Sequence, residues 1–368
     1  MAANPTAPEK GRGATFNPGN RFAHAAREVF DDGWASERER DGRPDGEAPT
    51  PLKTVVTIQQ ARTIISHNNS PDIGFSQSIN PYQGCEHGCI YCYARPSHAY
   101  LDLSPGLDFE SKLFAKPDAP ALLRKEFDNP RYRPEVIVVG ANTDPYQPIE
   151  REWKITRSLL GVFLEYRHPL GLITKSALVE RDIDLLAELA HHNLVRVMVS
   201  ITTLDKVLAR RMEPRAAAPQ RRLEAVKKLT EAGIRVGVMT APMIPKLNDG
   251  DMEAILEAAV ARGATMAGYT FIRLPYEIKD LFKAWLAEHY PQRAEPIMSV
   301  IRQMRGGKDY DSTFGERMHG TGSYAELLEQ RFTIACRRLK LNQDRSPLET
   351  GLFRRPSDGG QMSLFEPA

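Results

Sequence analysis

Asn80-Pro81-Tyr82-Gln83-Gly84-Cys85-Glu86-His87-Gly88-Cys89-Ile90-Tyr91-Cys92-Tyr93-Ala94-Arg95 holds three of the four cysteines of this 368-residue chain. The fourth, Cys336, lies far downstream. A secreted disulfide framework spreads its cysteines and pairs them. Three thiols at C-x3-C-x2-C spacing read instead as a metal-binding loop in a reducing compartment. Three cysteines can ligate three irons of a [4Fe–4S] cluster and leave the fourth iron open to a small molecule; cluster ligation otherwise takes four. Gly84 and Gly88 give the loop the backbone freedom to wrap such a cluster. A structural zinc site is the competing reading. It needs four closed ligands, with His87 or Cys336 completing the set.

Around this loop, strand and helix patterns alternate. Apolar runs predict strands at 75–79, 136–139, 171–174, 195–201, 235–240 and 266–272. The middle ones are near-continuous, as parallel strands covered on both faces require. Apolar residues at i, i+3, i+4 spacing predict helices at 150–166, 181–191, 221–232 and 252–261. Gly233 and Gly263 sit where C-caps belong. The alternation implies an α/β chain with a parallel sheet. Six strands over roughly 200 residues fit a partial (β/α)6 TIM-type barrel better than a closed eight-stranded one, which takes about 250. We place this core at 51–275, after a Pro-, Gly- and Asp-rich disordered arm at 1–50 with a short helix at 22–29. A helical C-terminal extension follows at 276–345, with helices at 277–288, 294–304 and 323–340, and then a flexible tail at 346–368. The 49 Lys+Arg against 47 Asp+Glu leave a net charge of +2, so nothing pulls the whole chain toward nucleic acid. No apolar run of about 18 residues predicts a membrane span, and the N-terminus has no signal-like apolar region. A cytoplasmic protein is expected.

With its aromatic before the last cysteine, the loop resembles the signature of the radical S-adenosylmethionine (SAM) superfamily. The run NPYQGCEHGCIYCYARPSHAY at 80–100 looks like the branch related to spore photoproduct lyase, often labelled "DNA repair photolyase". The likeness extends from about residue 54 to 340. It is strongest at the loop and at Gly140-Ala141-Asn142-Thr143-Asp144-Pro145-Tyr146-Gln147-Pro148. The resemblance implies that Cys85, Cys89 and Cys92 hold a [4Fe–4S] cluster whose open iron is chelated by SAM. It implies that one electron, from a reductant of flavodoxin or ferredoxin type, breaks the S–C5′ bond of SAM. The 5′-deoxyadenosyl radical so released takes a hydrogen atom from a substrate, by this likeness a damaged DNA base.

The resemblance also implies site residues at the C-terminal ends of the strands, where barrel sites lie. Tyr91 resembles the family residue near the adenine. Asn142, Thr143 and Asp144 follow the second strand, where the superfamily binds the methionyl amine, and Thr143 is the candidate for that contact. Lys175 resembles the lysine that pairs with the SAM carboxylate in a charge-assisted bond, and Ser200 a second carboxylate contact. Ala241 and Pro242 resemble the adenine-contacting backbone. Bland readings stand beside these: Lys175 as a surface cap, Thr143 and Ser200 as turn residues, Asp144 as a turn or N-cap. Spore photoproduct lyase has a cysteine just after the second strand that returns a hydrogen atom to the product radical. This chain has Gly140-Ala141-Asn142 there, so Tyr93 becomes the candidate catalytic donor. The departure leaves SAM cleavage standing and opens the substrate to RNA, protein or a small metabolite. A non-catalytic iron–sulfur protein that binds nucleic acid or senses redox state is the alternative from another class.

Near the C-terminus, Gln361-Met362-Ser363-Leu364-Phe365 resembles the pentapeptide by which bacterial DNA enzymes bind the sliding clamp. The Gln amide would hydrogen-bond and the Leu-Phe pair would fill an apolar pocket. The basic residues Arg331, Arg337, Arg338, Lys340 and Arg345 fit either phosphate contacts or a solvated helix face. Arg210, Arg211 and Arg215 fit either a solvated helix end or an anionic substrate.

Overall fold

The computed structural model describes residues 11–22, 52–344 and 346–356. The helix expected at 22–29, most of the arm at 1–50, Arg345 and the 361–365 motif lie outside the described residues. In chain order the strands are β1 Val55–Ile58, β2 Ile65–His67, β3 Gln77–Ile79, β4 Tyr82–Gln83, β5 Lys112–Ala115, β6 Ile137–Val139, β7 Leu170–Thr174, β8 Val195–Ser200, β9 Arg235–Met243 and β10 Met266–Phe271. The large sheet runs β10-β9-β8-β7-β6-β3-β2. Every pair from β3 to β10 is parallel, and β2 lies antiparallel on the edge beside β3. These six parallel strands are the six expected from the apolar runs.

Their residues explain the arrangement. Ile137, Val139, Leu170, Leu172, Val195, Val197, Val199, Val236 and Val238 are all almost wholly buried. β-branched side chains suit such strands, and a strand buried on both faces reads as a continuous apolar run. Helices Ile155–Glu165, Ile183–His191, Pro219–Glu231 and Met252–Val260 return the chain between successive strands. They press Leu159, Phe163, Leu186, Leu223, Val226, Ile255 and Leu256 into one core with the sheet. The result is an open (β/α)6 partial barrel. Among the described residues no helix is long and apolar enough to cross a membrane.

Four expectations need correction. The helix read as 150–166 breaks at Lys154, which sits at φ 49°, into Glu150–Trp153 and Ile155–Glu165. The break lets the buried Glu150 carboxylate cap the second piece, accepting from Thr156 N at 3.1 Å and Arg157 N at 3.3 Å. A second, three-stranded sheet, β1-β5-β4, was not legible. The disordered arm does not include residues 11–22: Arg12, Gly13, Ala14 and Thr15 are buried against the cysteine loop. Nor is 346–356 a flexible stretch.

That last segment is a strap under the N-terminal ends of the strands. Asn342 bonds to Ala267 at the start of β10. The Ser346 carbonyl takes hydrogen bonds from Arg196 of β8 and Arg235 of β9. Glu349 N donates to Asn193 O just before β8, and Arg354 N to Tyr166 O just before β7. Arg355 donates to Phe127 O and Asn129 O, both at 2.9 Å, ahead of β6. Phe353 joins an aromatic nest of Phe127, Tyr132, Tyr166 and His168.

His168 lies at the centre of that nest, stacked on Phe127 at 4.3 Å with its Nε2 at 2.8 Å from the Tyr132 hydroxyl. Burial pushes its pKa down to about 3, outweighing the bond to the Pro169 carbonyl. A depressed histidine favours the fold while neutral, so stability is full above the unfolded value near 6.5 and falls as the pH drops from there toward about 3. The slope is about 1.4 kcal/mol per pH unit. Between pH 6.5 and 5.0 the native chain is therefore expected to lose about 2 kcal/mol more than His168→Phe, read from thermal or denaturant unfolding. Equal losses in the two proteins would remove His168 as the source.

Candidate metal centre

The cysteine loop follows β3 and the short β4 and is held by two outside carbonyls and a turn of its own. Cys85 N donates to Phe109 O at 2.9 Å, Ile90 N to Met212 O at 3.0 Å and Cys92 N to Cys89 O at 3.2 Å. Two turns require glycine. Gly84 sits at φ +76° and Gly88 at φ +66°. A Cβ on Gly84 would meet Leu113 Cδ2 at 2.7 Å, and one on Gly88 would meet Glu110 Oε2 at 2.8 Å.

Arg95 braces the loop from within. Its side chain is fully buried and donates to the carbonyls of Gly88 at 3.2 Å, Cys89 at 2.9 Å, Pro105 at 3.1 Å and Gly106 at 2.9 Å. It also pairs with the buried Glu110 carboxylate. Glu110 in turn accepts from Gly13 N at 2.9 Å and Ala14 N at 2.8 Å, which docks the N-terminal segment onto the loop.

Cys85 and Cys89 are buried, Cys92 is half-buried, and all three are free thiols. Burial pushes Cys89 up to about 12, with Glu213 adding to it, and pushes Cys85 up as well, with Asp144 and the other two sulfurs adding. Each sulfur feels the others, so they share one site. Buried thiolates need cations close by, and iron supplies them. No three His, Cys, Asp or Glu side chains among the described residues converge on a point that one ion could occupy. A cubane asks for less, since each sulfur reaches its own iron. The donor set, the glycine turns and the buried brace fit a [4Fe–4S] cluster.

The expected SAM contacts gather at the neighbouring strand ends. Tyr91 is buried, its hydroxyl donating to Glu213, with the Lys175 ammonium 5.8 Å from its ring. Lys175 follows β7; burial pulls its pKa down, but Cys89 and Glu213 more than offset this and it stands raised. Asn142 is exposed after β6, its N–H donating to Asn80 Oδ1 at 2.8 Å. Thr143 is buried and its hydroxyl donates to Tyr82 O at 2.7 Å. Ser200 is buried at the end of β8, donating to Ala241 O at 3.2 Å, and Ala241–Pro242 is a cis peptide in β9. Tyr93 is 43% exposed, with its hydroxyl donating to the Ala141 carbonyl. Cys336 is buried in the far helix Ser323–Arg338. Of the basic run, Arg331 and Arg338 pair with Glu253 and Glu257.

Sequence reasoning missed Glu213, Arg222 and Glu110, and read Asp144 only as a residue after the second strand or as a turn or N-cap. Glu213 ties Tyr91 to Thr202 Oγ1 at 2.9 Å and to the buried Arg222 guanidinium. Burial works against the Glu213 charge, and Arg222 and Lys175 outweigh it, so its pKa is lowered. Asp144 accepts from Thr174 Oγ1 and Lys175 N, both at 2.7 Å, and faces His87 Nδ1 at 3.3 Å. Against burial, His87 and those bonds hold Asp144 down at about 2. It therefore joins the ends of β6 and β7 to the loop. Arg95, three residues past Cys92, was visible in sequence; its partner Glu110 carried no local signal.

Replacing Arg95 by Ala leaves Glu110 buried without its cation. The expected cost is about 3–5 kcal/mol of stability, with iron content after reconstitution reduced in step. Thermal melting together with the iron-to-protein ratio checks it; unchanged values in both would show that the brace is dispensable.

Comparison with known proteins agrees with this arrangement. The sequence profile of the Radical SAM superfamily matches residues 79–259. An uncharacterised protein of Mycobacterium tuberculosis is 33% identical over 281 residues, covering 76% of this chain and 79% of that one. An uncharacterised protein of Methanocaldococcus jannaschii is 29% identical over 225 residues, covering 61% and 80%. Spore photoproduct lyase complexed with dinucleoside spore photoproduct superposes with a TM-score of 0.53 at 16% identity, over 83% of this chain and 90% of that chain. At such identity the likeness is one of fold. A core matched by that profile, built on that fold and carrying its cysteines at the strand ends places the chain: it belongs to the Radical SAM superfamily.

Proposed function

We propose that this chain cleaves SAM reductively and directs the 5′-deoxyadenosyl radical at a hydrogen atom of its substrate, a damaged DNA base. The supporting observation is the braced three-cysteine loop at the C-terminal ends of six parallel strands, beside a lysine whose ammonium makes no hydrogen bond or close ion pair among the described residues. A [4Fe–4S] cluster held by Cys85, Cys89 and Cys92 would supply the single electron that breaks the S–C5′ bond and frees methionine.

The residues around it have distinct tasks. Lys175 lends its ammonium to the SAM carboxylate; no described residue takes a hydrogen bond from it, so the charge is available. Thr143 spends its hydroxyl hydrogen on Tyr82 O and offers only lone pairs, which suits the methionyl ammonium. Ser200 holds Ala241 O weakly and can turn its hydroxyl toward the carboxylate. Ala241 offers backbone to the adenine, and Tyr91 offers its ring. Tyr93 gives a hydrogen atom to the substrate radical, leaving a tyrosyl radical that an external donor returns to the phenol with one electron and one proton. That donor is a one-electron reductant of flavodoxin or ferredoxin type in the cytoplasm, and the 361–365 segment tethers the enzyme to a DNA-bound clamp.

The deciding experiment is release of 5′-deoxyadenosine from anaerobically reconstituted protein with SAM and a strong reductant. Native protein is expected to release it and Cys89→Ala is not. Release that survives Cys89→Ala would sink the reading, as would SAM binding that ignores the cluster. Lys175→Ala is expected to raise the KM for SAM about 10- to 100-fold with a smaller change in kcat, the signature of a binding contact worth about 1.5–3 kcal/mol. An unchanged KM would take Lys175 out of the SAM site.

A further inference from the structure

Arg273 follows β10, the last of the parallel strands, and so reaches the mouth of the barrel from the side facing Tyr93. Its guanidinium carbon lies 4.6 Å from the centre of the Tyr93 ring. The charges of Arg273 and Lys175 both bear on the Tyr93 hydroxyl, as does Cys92. Arg273 therefore belongs to the same chamber as the cluster loop.

Its partners do not account for its charge. Nε is buried with no hydrogen-bond partner among the described residues. Nη1 reaches only the Met318 thioether, at 3.4 Å. A thioether is a weak acceptor, and a cation–π contact at a half-exposed site is worth about 0.5–1 kcal/mol. No described carboxylate pairs with Arg273. Nearby Arg305, buried, donates only to the backbone carbonyls of Glu316, Ile272 and Arg317. Burial lowers the pKa of Arg305 and the Arg273 charge lowers it further, against the opposing pull of Tyr310, Asp311 and Glu316. The acids of the chamber are already engaged: Glu213 by Arg222 and Tyr91, Asp144 by Thr174, the Lys175 amide and His87. Arg273 thus carries a charge that no carboxylate among the described residues pairs with, beside a second, buried arginine.

We propose that Arg273 is a substrate-binding residue that takes a phosphate group, holding a nucleotide unit against the exposed ring of Tyr93. A guanidinium fork matches a phosphate with two parallel hydrogen bonds, and a planar base can lie beside an aromatic ring. A phosphate would take the Nη donors, which Met318 meets only weakly, and relieve the repulsion between Arg273 and Arg305. Lys175, beside the Tyr91 ring, is left for SAM. The proposal rests on the reading of the strand ends as the reaction chamber, and it names the chemical class of substrate that chamber accepts. The phosphate can come from a free nucleotide or from a nucleic acid strand.

The test is equilibrium binding to the reconstituted full-length protein at about 0.1 M salt, since phosphate contacts are salt-dependent. Three probes are used: thymidine, thymidine 5′-monophosphate, and a single-stranded oligodeoxythymidylate of about 12 nucleotides, long enough to fill a strand-binding groove. Arg273→Gln is expected to weaken a phosphate-bearing probe about 10- to 100-fold while leaving thymidine unchanged. Arg273→Lys restores part of the affinity as a point charge and guards against a folding artefact in the first variant. Arg124→Gln, on the outer surface, serves as the neutral control. The tighter of the two phosphate probes names the source. Failure of the native protein to bind either one, or binding that both Arg273 variants leave within about twofold, overturns the proposal. Release of 5′-deoxyadenosine from the same native sample separates the two readings. Release with Arg273-independent binding rejects the Arg273 site alone. No release with Arg273-dependent binding rejects the reaction and leaves the phosphate site standing.

Discussion

The buried pair between Arg95 and Glu110 is the constraint from which the rest of the site follows. An ion pair taken out of water is stable only when its remaining donors and lone pairs are satisfied. Here they are. Arg95 spends its other donors on four carbonyls, two of them inside the cysteine loop, and Glu110 spends its remaining acceptor capacity on Gly13 N and Ala14 N. One interaction thus fixes the curvature of the loop, the turn at 105–106 and the N-terminal segment together. The tight turn at Gly88 is a consequence of it, because Gly88 has no room for a side chain against the Glu110 carboxylate.

The strand ends then distribute charge around that rigid loop. Acids sit deep and are neutralised locally, Glu213 by Arg222 and Asp144 by donors of β7 and the loop. Cations point toward the chamber with fewer commitments. Such an arrangement is preorganised for anionic groups, and in a partly dry cavity it acts more strongly than it would in water. Tyr93 lies under one of these cations, Arg273, its hydroxyl already fixed to the loop after β6.

The parts legible in sequence were those written in local pattern. Six strands showed as apolar runs because both of their faces are covered, and the helices showed as periodic stripes. The cysteine spacing is likewise local. What escaped depends on distant partners. β1 is exposed along most of its length, and β4 is only two residues long, so their joining through β5 carries no local pattern. Polar residues 11–22 look like a free arm until Glu110, nearly a hundred positions away, collects their amides. The break at Lys154 follows from Glu150 serving the next helix as a cap, a choice its helical stripe does not reveal. Residues 346–356 are ordered by the ends of four other segments, none of them adjacent in sequence.

The strap has a mechanical consequence. It carries the chain to Arg355 at the heel of the barrel, beneath β6, while the cysteine loop crowns the opposite rim. Strands of this length separate heel from rim by about 20 Å. The strap therefore clasps the barrel by its heel, buckling the starts of β7, β8 and β9 together, and leaves the opposite rim clear of it.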